Sequence, residues 1–120
     1  MPGGRVELQE DSQTSVVREV KEELGIDVKV EKLLWFTENF FDYNNKNYHE
    51  IGLYYQVSPQ NGSFNFHKEE FFGEEGERLV YQWVPISSLE EFNLYPEFIR
   101  TSLSELPEAP QHLIVHKYSI

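Results

Sequence analysis

Across residues 12–25 the apolar positions are Val16, Val17, Val20 and Leu24, separated by polar and charged side chains. At about 100° per residue these four fall on one stripe of an α-helix. Ser12 is the expected N-cap, and Gly25 stands where a left-handed residue would end the helix. The pattern then changes. Val28 and Val30 alternate with charged residues, Leu33 to Phe36 form a continuous apolar run, and Phe40 and Phe41 extend it. That run predicts a strand over 28–41, buried at its centre. Asn44-Asn45-Lys46-Asn47 is a turn signal. Ile51, Leu53, Tyr55 and Val57 then alternate along a returning strand over 48–57, so the pair reads as an antiparallel hairpin.

The second half is less regular. Residues 59–76 are rich in loop formers, with Asn61-Gly62 as a tight-turn candidate. A strand over 79–85 carries Trp83, and Ser87 or Ser88 is expected to cap a short helix after it. Residues 94–106 read as a final helix with Phe98, Leu103 and Leu106 on or near one face, ended by Pro107 and Pro110. Residues 113–118 read as a short last strand. No repeat, low-complexity segment or linker interrupts the chain.

A length of 120 residues predicts one domain over 1–120, and 39% hydrophobic with 15% aromatic residues is enough to build a core. The absence of cysteine excludes a disulfide, a zinc–thiolate site and a thiol nucleophile, in agreement with a cytoplasmic location. No apolar run approaches the length of a membrane span, and no signal peptide is visible, so no membrane partner is expected. The formal charge of −11 argues against duplex nucleic acid, since no basic patch is available to release counterions. His67, His112 and His116 read as surface or packing histidines.

Charge matters most on the first helix. Glu19, Glu22 and Glu23 fall on one face, about 120° from the apolar stripe. Carboxylates three and four residues apart repel by about 0.2–0.5 kcal/mol per exposed pair. A solvated acidic face is the plain explanation of such a run. A divalent cation would reverse the repulsion, and Mg²⁺ takes oxygen ligands while keeping waters that a phosphate can replace.

The wider spacing decides between these readings. Gly4, five residues, Glu10, seven residues, Arg18-Glu19-Val20, one residue, Glu22-Glu23, one residue and Gly25-Ile26 together resemble the Nudix hydrolase signature at every specified position. Seven fixed residues at about one in fifteen each, with two apolar ones, make a chance match rarer than about 10⁻⁶. The resemblance implies a loop–helix–loop holding Mg²⁺ or Mn²⁺, and hydrolysis of a diphosphate bond in a nucleoside diphosphate linked to another group. Metal ions would neutralise the diphosphate and lower the pKa of a bound water. By position, Glu22 and Glu23 match the main metal ligands, and Glu19 matches a ligand or the base that takes the water's proton. Arg18 matches the residue that orients a glutamate. Gly3 precedes the signature glycine, and in relatives its carbonyl can bind metal. Glu10 matches an outer partner. A further metal-binding glutamate in relatives comes from a loop before a tryptophan-bearing strand. Glu77 fits that position best, with Glu74, Glu75 and Glu50 as alternatives. Tyr43, 17 residues beyond Ile26, sits where dinucleoside-polyphosphate members often carry a tyrosine, a weak cue to substrate binding.

The implied fold is an α/β/α sandwich with a mixed sheet. Relatives carry strands before the box, whereas here the box begins at the fourth residue, so the expected sandwich is N-terminally incomplete. The apolar residue that relatives carry before Pro-Gly-Gly corresponds to Met1, which then reads as an internal methionine of a longer chain. Unpaired sheet edges would favour a homodimer, through the hairpin or the segment before the box. The competing function is a regulatory module that binds a nucleotide-type small molecule without cleaving it.

Overall fold

The computed structural model describes residues 1, 3–60, 71–73, 76–81, 84, 86–91 and 97–116. Helix α1 (Ser12–Leu24) is capped by Asp11, one residue before the expected Ser12. The Asp11 carboxylate accepts from the Thr14 backbone N–H at 2.7 Å and from the Thr14 hydroxyl at 3.0 Å. A carboxylate beats a serine hydroxyl here because it accepts two bonds at once and puts negative charge at the positive end of the helix. Those bonds, first from the Thr14 N–H, also lower the Asp11 pKa. At the other end Gly25 takes φ 71°, and its N–H donates to the Lys21 carbonyl at 2.9 Å, as its sequence position predicts.

Strand β1 (Val28–Tyr43) and strand β2 (Lys46–Pro59) form the expected hairpin, each a little longer than the hydropathy pattern suggests. Asn44 and Asn45 both take positive φ, 50° and 62°, as the two-residue turn that matches strand twist requires. Two short strands, β3 (Phe71–Gly73) and β4 (Gly76–Tyr81), pair antiparallel, with an irregularity at Phe72/Gly73. Strand β3 thus lies in the stretch that reads as loop. Strand β4 starts earlier than the expected 79–85; residues 82, 83 and 85 of that range, Trp83 among them, lie outside the described residues, as do Asn61, Gly62 and His67. A 3-10 helix spans Ile86–Glu91, so Ser87 and Ser88 lie inside it and do not cap it.

Helix α2 is confined to Ile99–Ser102 and is flanked by turns, in place of the expected helix over 94–106. Residues 94–96 of that range lie outside the described residues. Strand β5 (Gln111–His116) begins two residues before the expected 113 and pairs parallel with β1, from Trp35↔Gln111 to Phe40↔His116. The sheet order is β2-β1-β5, antiparallel on one side of β1 and parallel on the other. The Trp35 indole N–H donates to Gln111 Oε1 at 3.2 Å, and Lys32 Nζ donates to the Pro107 carbonyl at 2.9 Å, fixing β5 beside β1.

The chain divides into two compact units. Met1–Lys29 with Pro59–Leu106 form one, and Val30–Ser58 with Pro107–Ile120 form the other. In the first, Val20, Val28, Leu89 and Ile99 are buried, with the polar Ser15. In the second, Leu34, Trp35 and Thr37 are buried, at the centre of β1 where the continuous apolar run places them. No helix among the described residues is long and apolar enough to cross a membrane.

Ile99 is 1% exposed, so Ile99→Ala should cost roughly 2–5 kcal/mol of stability by lost burial and cavity formation. Ile86 is 53% exposed, and Ile86→Ala should stay within about 0.5 kcal/mol. Urea denaturation of the two variants checks the contrast.

Candidate active site

The first residues and α1 fold into a cluster around one guanidinium. Arg18 Nε donates to Glu10 Oε2 at 2.8 Å and its Nη2 donates to Glu10 Oε1 at 3.1 Å, a two-pronged contact. The third nitrogen, Nη1, donates to Glu19 Oε1 at 3.0 Å and to Glu22 Oε2 at 3.1 Å. Helix geometry supplies two of these partners, since Glu22 is one turn beyond Arg18 and Glu19 is adjacent. Glu10 arrives from the loop before the helix. A turn holds that loop, with the Glu10 N–H donating to the Glu7 carbonyl at 3.0 Å and the Glu7 N–H returning to Glu10 Oε1 at 3.2 Å. The Glu7 carboxylate is 3.8 Å from Arg18.

The Glu10 side chain is only 12% exposed. Its carboxyl is pushed down from the ordinary 4.5 to about 2, first by the hydrogen bonds from Arg18 and then by the Glu7 N–H, with a smaller contribution from the Ser15 hydroxyl. The same pairing with Glu10 raises the Arg18 pKa, so the guanidinium stays charged.

Glu23 points elsewhere, its Oε2 accepting from the Gly3 N–H at 3.0 Å. Gly4 lies against Glu19. A Cβ at Gly4 would stand 2.7 Å from Glu19 Oε1 and 2.8 Å from its carboxyl carbon, so any side chain there would push the carboxylate away. Gly3, Gly4, Glu10, Arg18, Glu19, Glu22 and Glu23 are thus assembled within one unit. Glu77 lies on β4 of the same unit, its side chain outside what is described, and Glu74 and Glu75 fall outside the described residues. Tyr43 and Glu50 belong to the other unit, and both are exposed. The Tyr43 ring contacts Tyr48, with centroids 6.4 Å apart.

The fit to a divalent cation can be tested on the donors themselves. Glu19, Glu22 and Glu23 offer hard carboxylate oxygens, which suit Mg²⁺ and Mn²⁺. The Glu19 carboxylate rests against Gly4, where any side chain would displace it. Among the described residues no three acidic or histidine side chains converge as a ready cation cage, because Arg18 draws Glu19 and Glu22 while Gly3 holds Glu23. The donor chemistry therefore fits, with the carboxylates held by protein donors.

Sequence reasoning assigned Glu10 only an outer role and overlooked Glu7 and Ser15. Ser15 is 3% exposed and sits one turn before Arg18, a spacing that could have marked it. Glu7 stands outside the signature positions, and it acts through its backbone, in the turn with Glu10, and through its carboxylate, 3.8 Å from Arg18.

A lowered folded-state pKa means that ionised Glu10 stabilises the fold above pH 4.5, and that this contribution is lost as pH falls from 4.5 towards 2. Glu10→Gln should therefore be less stable than the parent chain at neutral pH, with the gap closing over that acid range. Urea melts at a series of pH values measure it. A gap that persists at the acid end would place the stabilisation elsewhere.

The helix with a mixed three-stranded sheet is the kind of small α/β fold that the resemblance implies. The model of the NUDIX domain family matches residues 1–104. No curated protein matches the chain. Nudix enzymes generally use divalent metals, their activity is of the pyrophosphohydrolase type, and their substrates are nucleotide-like. With the match spanning most of its length, the chain belongs to the Nudix family.

Proposed function

We propose that this chain is a metal-dependent hydrolase that cleaves the diphosphate bond of a nucleoside diphosphate linked to another group. The observation that carries the reading is Arg18, anchored by Glu10 through two bonds while its remaining nitrogen holds Glu19 and Glu22. Glu19, Glu22 and Glu23 would hold Mg²⁺ or Mn²⁺. When bound, such an ion neutralises the diphosphate and makes a bound water a nucleophile at neutral pH.

The chain's own residues have separable tasks. Glu10 keeps Arg18 charged and in place, since a guanidinium fixed by two parallel bonds cannot swing with its other partners. Arg18 in turn limits the positions open to Glu19. Glu19, whose carboxylate rests against Gly4, is the proposed acceptor of the water's proton. Glu77 is proposed as a further ligand and Tyr43 as a substrate contact, both on sequence position alone. A cytoplasmic setting agrees with the lack of cysteine.

A panel of nucleoside diphosphate derivatives, assayed for released phosphate groups with and without Mg²⁺ or Mn²⁺, tests the reading. Metal-dependent turnover of at least one member is expected. Glu22→Gln and Glu23→Gln should each lower the rate by about 100-fold or more while keeping the fold, because each removes a full charge from the ligand set. Binding without turnover across the panel would instead identify a module that senses a nucleotide.

A further inference from the structure

Two consecutive residues before α1 each touch one of its carboxylates. The Gly3 N–H donates to Glu23 Oε2 at 3.0 Å, and Gly4 lies against Glu19, where a Cβ would stand 2.7 Å from Oε1. Arg5 comes next. Consecutive Cα atoms are about 3.8 Å apart, so the Arg5 backbone begins within roughly 8 Å of the Glu19 carboxylate. Its side chain is exposed.

Arg5 is also an uncommitted cation. Among the described residues, no hydrogen bond, ion pair or ring contact holds it. The other cations of this unit whose side chains are described are engaged. Arg18 holds Glu10, Glu19 and Glu22, and Lys21 is 3.3 Å from Asp27. Lys29 and Arg100 have partners of their own. In a chain with 21 acidic and 10 basic residues, a guanidinium next to such a cluster would be expected to find a carboxylate. Arg18 has already taken Glu10, Glu19 and Glu22, so the charge of Arg5 stays open to an acceptor that is not part of the chain.

A diphosphate is such an acceptor. An ion on the carboxylates offsets part of its charge, but its remaining oxygens still meet an acidic surface. A guanidinium stays charged and offers parallel N–H donors that match a phosphate. Arg18 cannot serve, because each of its three nitrogens already donates to a carboxylate. We propose that Arg5 is a substrate-binding residue whose guanidinium takes a phosphate of the diphosphate group. The inference rests on the hydrolase reading of the same site.

The probe is methylenediphosphonate, a diphosphate analogue whose P–C–P bridge water does not cleave. Calorimetry with Mg²⁺ on the full chain measures its binding, beside turnover of the nucleotide panel. Arg5→Gln should weaken analogue binding about tenfold and raise KM by a similar factor, with Arg5→Lys recovering part of the loss. Lys46→Gln makes the same change of net charge at an exposed lysine of the other unit, and should alter neither value. In the parent chain the Arg5 Nε resonance should move as the analogue is added, a readout that needs no turnover. The proposal is overturned by a parent chain that does not bind the analogue, by Arg5→Gln binding as the parent does, by equal weakening in Lys46→Gln, or by an unmoved Arg5 resonance. Failure of the hydrolase reading looks different. The analogue would then bind through Arg5 while no member of the panel is cleaved.

Discussion

The first third of this chain depends on one guanidinium. Without Arg18, Glu7, Glu10, Glu19 and Glu22 would converge as bare negative charges on a short loop and two turns of helix. With it, three of the four carboxylates accept hydrogen bonds at 2.8–3.1 Å, and the loop before α1 is tied to the helix. The repulsion anticipated from helix spacing alone, at a few tenths of a kcal/mol per pair, is offset by these contacts. Glu23 escapes it differently, through the Gly3 N–H. The acidic face is therefore a set of satisfied acceptors before any cation is considered.

The two ends of α1 serve the same arrangement. Asp11 fixes where the helix starts, which sets the angular position of Arg18, Glu19 and Glu22 relative to the Glu7–Glu10 turn. Gly25 ends the helix directly after Leu24 and releases the chain into β1, three residues on. Gly4 matters through absence of bulk. A Cβ there would stand 2.7 Å from Glu19 Oε1, so a side chain at this position would push the carboxylate away. Helix boundaries and one bare backbone position thus determine the geometry of the carboxylates more than their own rotamers do.

The parts of this architecture that were legible in the sequence share a physical cause. The spacing of Val16, Val20 and Leu24 and the run through Leu34 and Trp35 reflect burial, which acts on single residues and leaves a period in the chain. Asn44 and Asn45 were legible because few residues tolerate positive φ. The errors arose where neighbours compete. Ser12 and Asp11 are both good caps, and only the geometry of Thr14 selects between them. Within the helix expected over 94–106, the described residues are helical only over Ile99–Ser102, with turns on both sides. In the site, the signature spacing marked Arg18, Glu19, Glu22 and Glu23, of which Glu19 and Glu22 meet Arg18 while Glu23 turns to the Gly3 N–H. It was silent on the Glu7 backbone, whose part is fixed by a turn and not by residue type.

The distribution of charge connects the two units without reference to their arrangement. An excess of eleven acidic residues keeps most of the surface hostile to anions and to like copies. That background gives meaning to the two places where carboxylates are matched by positive or neutral donors. Around Arg18 the match is a fixed cation with carboxylates on three nitrogens, which satisfies the oxygens of Glu10, Glu19 and Glu22 with protein donors. Around Glu38 the partners are two imidazoles, on a sheet face with exposed isoleucines. The first arrangement gathers three carboxylates about one cation, whereas the second pairs a single carboxylate with two rings. Under the proposed function a cation would have to draw Glu19 and Glu22 from Arg18, and Glu23 from the Gly3 N–H, before their oxygens could share it.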